Sequence, residues 1–239
     1  MRPCEQIFRG IRDRTEVTAR KRQKNIRRLG RCICALLFLS LSLNSCKEQK
    51  EDATETQTIS SKQVTAKDIL GHPDYPAISY GGYREISRED QPTVSQLKED
   101  MRILYALGIR ILRTYNVQLA HASNVLKAIR ELREEEPGFE MYVMLGAWID
   151  CKNAWTEFEP DHSVESEQNA GEIERAVALA NEYPEIVKII AVGNEAMVKW
   201  AASYYVQPSV ILKWVTHLQG LKAEGKLPED LWITSSADF

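Results

Sequence analysis

Five short apolar runs of this chain end in polar and aromatic residues at points where a buried strand would stay apolar. Their ends read Tyr80-Gly81-Gly82-Tyr83-Arg84, Arg113-Thr114-Tyr115-Asn116, Gly146-Ala147-Trp148-Ile149-Asp150, Gly193-Asn194-Glu195 and Ser235-Ser236-Ala237-Asp238. A carboxylic acid at Glu195, with the amide of Asn194 beside it and the cation of Arg113 within reach, suits glycoside cleavage, in which an acid must protonate a leaving oxygen. Trp148, Tyr83 and Tyr115 offer flat apolar faces on which sugar rings stack. Each residue taken singly has a plainer reading. A strand-end Glu commonly serves a helix N-terminus or faces water, a strand-end Trp commonly fills core, and Arg113 could pair with a structural carboxylate. Their recurrence at successive strand ends is what favours a site.

The elements that must carry these residues alternate along the chain. Strands are expected at 76–84, 109–116, 140–150, 187–196 and 231–239, with helices between them at 93–107, 122–136, 166–182 and 207–223. On the first helix Val94, Leu97, Met101 and Leu104 share one face, and Gly108 stops it. Pro137-Gly138 closes the second helix and Pro184 follows the third. Between strand three and its helix lies a loop of polar and aromatic residues. Strands separated by helices pair in parallel through right-handed crossovers, which defines an α/β sheet or barrel. No Gly-rich phosphate loop follows any strand, so the (β/α)8 TIM barrel is favoured over a doubly wound nucleotide-binding sheet. In a barrel the strand C-termini form the mouth, where Glu195 and Arg113 would meet if period-two alternation points Ile189, Ala191, Gly193 and Glu195 inward with Ile111, Arg113 and Tyr115.

Before this body the chain has a different character. Residues 1–31 hold eleven Arg and Lys against three Asp and Glu, which leaves 20 basic and 31 acidic residues and a body charge near −11. So acidic a surface argues against nucleic acid as partner. The apolar run 32–45, about 14 residues, is too short to span a bilayer and reads as a secretory signal. It ends in Leu43-Asn44-Ser45-Cys46, which resembles a bacterial lipoprotein lipobox with Cys46 as the lipidated residue; a short anchor with a chance Cys is the alternative. The expected organisation is a signal at 1–45, a polar tether at 46–66 and a body at 67–239, placed in the cell envelope by a lipid anchor facing the periplasm or outer membrane. Cys151 is alone in the body, so no disulfide forms there. His72, His121, His162 and His217 lack metal-ligand spacing, and neither metal nor cofactor is expected.

The segments Ile111-Leu112-Arg113-Thr114-Tyr115, Leu145-Gly146-Ala147-Trp148-Ile149 and Ala191-Val192-Gly193-Asn194-Glu195-Ala196-Met197 resemble, in order and spacing over about 76–239, glycoside hydrolase family 17 in its bacterial endo-β-1,3-glucanase form. The resemblance implies a TIM barrel acting on β-glucan, by hydrolysis or transglycosylation, with retention. It implies Glu195 as general acid/base, Asn194 on the sugar 2-hydroxyl, Arg113 near the nucleophile and favouring its ionised form, and Tyr115 lining the cleft. Ser235-Ser236-Ala237-Asp238 resembles the run that ends the family's fifth strand, which adds Asp238. The family's nucleophile is a Glu at the end of strand seven, about 5–5.5 Å from the acid. The body is about 165–175 residues against about 250 for a whole barrel. The expectation is therefore a barrel truncated after its fifth strand, prone to associate through exposed edges and inactive alone. The competing expectation is a lipid-anchored carbohydrate-binding protein without catalysis.

Overall fold

The computed structural model describes residues 64–237, so Cys46 and Asp238 lie outside the described residues. A short helix α1 (Ala66–Ile69) opens it, with Thr65 and Asp68 forming a capping box. Then come β1 (Ala77–Ser79), α2 (Val94–Ala106), β2 (Ile111–Arg113), α3 (Ala120–Glu135) and β3 (Tyr142–Ala147). A hairpin of β4 (Cys151–Lys152) and β5 (Asp161–Glu165) follows, and α4 (Gln168–Glu182), β6 (Val187–Asn194), α5 (Pro208–Ala223) and β7 (Trp232–Ser236) complete the order. The five main strands form one parallel sheet in the order β1-β2-β3-β6-β7, while β4 and β5 pair antiparallel by themselves.

Local sequence explains the helices. Thr93 and Gln96 cap α2 reciprocally, and Gly108, at φ +89°, ends it. Pro208 starts α5 where its missing N–H costs nothing. Val125, Ile129 and Leu132 of α3, Ile173 and Ala180 of α4, and Val210, Trp214 and Leu218 of α5 are buried on one side of the sheet against Leu112, Val143, Leu145, Ile190 and Val192. On the other face, α1 packs Ile69 onto Ile111 and Tyr142 near the strand N-termini.

The strands are shorter than their apolar runs, because the chain leaves the ladder where it begins to build the mouth. β1 ends at Ser79; the Tyr80 N–H still reaches the Arg113 carbonyl, then Gly82 turns away at φ +64°. The polar and aromatic stretch after β3, expected as a loop, contains the β4–β5 hairpin. Its two short strands carry too little alternation to be read from sequence. From Val187 to Gly193 every residue of β6 is buried, whereas all three residues of β1 are exposed and β7 buries none fully. Ile78 and Trp232 stand exposed on these outer strands.

Gly146 is required by the close approach of β2 and β3. A Cβ there would overlap the Thr114 carbonyl oxygen and lie 2.8 Å from the Tyr115 carbonyl carbon, both backbone atoms that cannot rotate away. Gly146→Ala is expected to cost about 1–3 kcal/mol in denaturant unfolding. Gly220→Ala, in the last turn of α5 with open space around the new Cβ, is expected to stabilise by up to ~1 kcal/mol in the same measurement.

Candidate functional site

Arg113 joins four strands across the open face of the sheet. Its Nη2 donates to Asn194 Oδ1 and to Ser236 Oγ, both at 2.5 Å, and its Nη1 reaches Ser79 Oγ at 3.4 Å. The guanidinium also stands over the Tyr115 ring, 5.5 Å from its centroid. All the acceptors are neutral. Among the described residues no carboxylate pairs with Arg113, and its buried Nε has no hydrogen-bond partner. Arg84 and Arg175, by contrast, hold Asp100 and Glu172 at 2.7 and 3.0 Å.

Asn194 reaches Arg113 through a break in alternation. Strict period two would turn Asn194 to the helix side with Val192 and Glu195 inward. Instead the ladder shifts register between Val192 and Asn194, so that Asn194 lies opposite Ser236. Gly193 takes φ +78°, where an added Cβ would press on Ala196 and Ile211. The shift brings Asn194 to the open face and leaves Glu195, at φ +52°, as the first residue beyond the strand. The Glu195 N–H donates to the Ser236 carbonyl at 2.7 Å, which fixes the backbone at this half-buried carboxylate. A non-glycine residue in left-handed conformation is uncommon, and here the β6–β7 bond holds it.

The end of β3 is held from α4. Glu172, only 3% exposed, accepts the N–H of Val117 at 2.7 Å and that of Trp148 at 3.0 Å on one oxygen, and Arg175 on the other. One turn earlier, buried Asn169 accepts the Asp150 N–H and donates to the Asp150 carbonyl. Thus two side chains three residues apart on one helix clamp the exits of β2 and β3. Asp150 then accepts the indole N–H of Trp148 at 2.5 Å and that of Trp155 at 3.4 Å. Burial raises the Asp150 carboxyl above its ordinary range, against the opposing effect of the two indoles. Tyr204 packs on both rings, at 5.0 Å from Trp148 and 5.1 Å from Trp155. Its phenol is pushed up by burial and then by the negative charges of Glu195 and Asp150, so both carboxylates lie within electrostatic reach of it.

Of the residues picked from sequence, Arg113, Asn194 and Tyr115 meet directly. Glu195 follows Asn194 in the chain, and Trp148 packs on Tyr204, whose phenol feels the Glu195 charge. Tyr83 instead stacks on His121 at 5.4 Å. The residues not foreseen as site residues are Ser79, Trp155, Tyr204, Glu172 and Asn169, while Ser236 stood only within the strand-end run that pointed to Asp238. Only Trp155 carried a visible signal, an aromatic residue in the polar stretch after β3. Among the described residues no His, Cys, Asp and Glu cluster could hold a metal, and no helix is long and apolar enough to cross a membrane. Cys151 is a buried free thiol.

A parallel α/β sheet whose strand ends gather a carboxylate, an amide, an unneutralised guanidinium and several rings has the makings of a carbohydrate cleft. An endo-laminarinase from Formosa Hel1_33_131 is similar to this chain at 71% identity and a TM-score of 0.72, over 73% of this chain and 44% of that one. That similarity supports the resemblance to glycoside hydrolase family 17 glucanases carried by the strand-end segments. The chain spans 44% of the enzyme's length. A second solved structure, CJP38, a beta-1,3-glucanase and allergen of Cryptomeria japonica pollen, superposes with a TM-score of 0.42 and 17% identity over 68% of this chain and 42% of that one, too loosely to bear on fold or function. No protein-family model matches the chain, and no curated protein does.

Two measurements check this account of the supporting shell. Glu172→Ala leaves the Val117 and Trp148 N–H groups without an acceptor and is expected to cost about 2–6 kcal/mol, at ~1–3 kcal/mol for each. Glu172→Gln keeps one acceptor oxygen and should stay within about 1 kcal/mol of the parent, since Arg175 is solvent-screened. Burial lowers His121 from 6.5 to about 4. The unfolded chain therefore binds the proton first as pH falls, and stability present above pH 6.5 drains away between pH 6.5 and 4 by about 3 kcal/mol. His121→Phe should flatten that part of the stability–pH curve.

Proposed function

We propose that this chain supplies the acid/base half of a site that cleaves β-1,3-glucan, with Glu195 as general acid/base of a retaining hydrolysis or transglycosylation. The observation that carries the reading is the Arg113 guanidinium, which among the described residues has only neutral acceptors while lying against Asn194, the neighbour of Glu195. A cation left without a carboxylate at the mouth of a cleft is poised to hold a nucleophilic carboxylate ionised. In the first step Glu195 protonates the glycosidic oxygen as that carboxylate attacks the anomeric carbon. In the second, Glu195 removes the proton of the incoming water or sugar hydroxyl, which displaces the carboxylate. In this reading Asn194 contacts the sugar 2-hydroxyl, and Trp148 and Tyr115 contact ring faces. The parallel sheet and its exposed outer strands β1 and β7 support a (β/α)8 barrel, in which those edges would be paired.

Chemical rescue tests the assignment. With a β-1,3-glucan oligosaccharide, the chain is expected to release reducing sugar only when formate is added as a substitute nucleophile. Glu195→Gln should reduce that formate-dependent rate by about 100-fold or more. Equal turnover without formate would show that the chain already holds its nucleophile, and an unaltered rate in Glu195→Gln would remove Glu195 from the chemistry. Binding without any rescued turnover is the signature of the non-catalytic carbohydrate-binding reading, which the ring cluster at Trp148 and Tyr204 favours.

We further propose that Cys46 carries a lipid anchor that holds the chain at the cell envelope. The support is its position after the apolar run and before a polar segment. Labelled palmitate should enter the protein in a bacterial host, and Cys46→Ser should abolish the incorporation.

A further inference from the structure

Trp155 is anomalous under every structural role open to it. It is 61% exposed, so it adds little to the core, and yet its backbone sits at φ +62°, which disfavours a bulky side chain. Asn153, also at φ +62°, shares the turn. The turn is held tightly all the same. Asn153 donates to the Glu159 carbonyl at 3.0 Å, the Thr156 hydroxyl donates to the Asn153 carbonyl at 2.8 Å, and the Ala154 N–H reaches the Cys151 carbonyl at 3.2 Å. The ring is fixed as well as the backbone. Its one polar atom faces Asp150, and one of its faces stacks on Tyr204 at 5.1 Å and 23°. With its N–H on Asp150, its ring stacked on Tyr204 and Trp148 tilted 6.4 Å away, the indole is held in one orientation while most of it stays open to solvent.

We propose that Trp155 is a platform for a pyranose ring of a β-glucan chain, at a position displaced from Glu195 beyond Trp148 and Tyr204. The proposal rests on the β-glucan reading of the site. The apolar C–H face of a glucose residue stacks on such a ring without needing charge, in keeping with the acidic body and a neutral polysaccharide. Tyr204 links the platform to the chemistry, since it touches Trp155 and Trp148 and feels the Glu195 carboxylate. Asp150 acts here as a positioning residue, because both indole N–H groups converge on it. The backbone strain is offset by the turn's hydrogen bonds, and preorganisation of the ring lowers the entropy lost when sugar binds.

A platform displaced from the reacting bond discriminates by chain length. Calorimetric titration of the full chain with β-1,3-linked glucose trisaccharide and hexasaccharide tests it. Trp155→Ala is expected to weaken the hexasaccharide about 5–10-fold, within the range of one aromatic stacking contact, and to leave the trisaccharide unchanged. Trp155→Phe should keep most of the hexasaccharide affinity and guards against an effect of misfolding. Equal weakening of both ligands would overturn the displaced position, and unchanged hexasaccharide affinity in Trp155→Ala would overturn the platform while leaving the β-glucan reading intact. No binding of either ligand by the unaltered chain would overturn both.

Discussion

The open face of this sheet is organised by one cation that has no counter-charge among the described residues. A guanidinium keeps five donors and cannot release its proton, so its surroundings must supply acceptors. Arg113 draws them from Ser79, Asn194 and Ser236, that is, from β1, β6 and β7, reaching past β3. Those acceptors are in place only if the parallel ladders hold their register and if β6 shifts by one residue at its end. Neutral acceptors solvate the charge without neutralising it. That distinction separates Arg113 from Arg84 and Arg175, whose carboxylate partners make them structural.

The opposite face supplies the rigidity. Leucine, isoleucine and valine side chains from α3, α4 and α5 close onto β3 and β6, leaving the strand ends to carry polar residues without loss of core. Two of the helix positions that face the mouth are polar, and both act through the backbone. Glu172 and Asn169 take up N–H groups that β2 and β3 would otherwise leave unpaired as they leave the ladder. A buried carboxylate is tolerable there because it accepts two amides and a guanidinium. The position of Trp148 therefore follows from a helix residue 24 places away in sequence as much as from β3 itself.

These features account for what could be read in the sequence and what could not. Helices α2 to α5 were legible to within about two residues, because a 3.6-residue period runs through each and a Gly or Pro follows each C-terminus. The parallel order of strands was legible from their separation by helices. The polar strand ends pointed to Arg113, Asn194 and Glu195 because charged and amide groups are out of place at the end of an apolar run. The register shift at Gly193 was not legible. It depends on pairing with Ser236, some forty residues on, and strict alternation pointed the wrong way for Asn194. Glu172 was invisible for a related reason, since its partners are backbone groups on other elements and its neighbours Glu174 and Arg175 read as a solvated helix face. Trp155 and Tyr204 meet only after the β4–β5 hairpin folds, and no spacing rule connects them.

Charge adds a constraint on what the cleft can take. The body outside the basic N-terminal stretch is strongly acidic, and two carboxylates, Glu195 and Asp150, act on the Tyr204 phenol at the mouth. An anionic polymer would be repelled along its whole length by such a surface. A neutral polysaccharide meets no long-range penalty and can rely on short-range contacts, ring faces on aromatic side chains and hydroxyls on amides and carboxylates. The mouth provides these in adjacent positions: flat rings from Tyr115, Trp148 and Trp155, an amide from Asn194 and carboxylates from Glu195 and Asp150. Arg113 is turned inward onto Asn194 and Ser236, which occupy its guanidinium and turn it away from a distant anion.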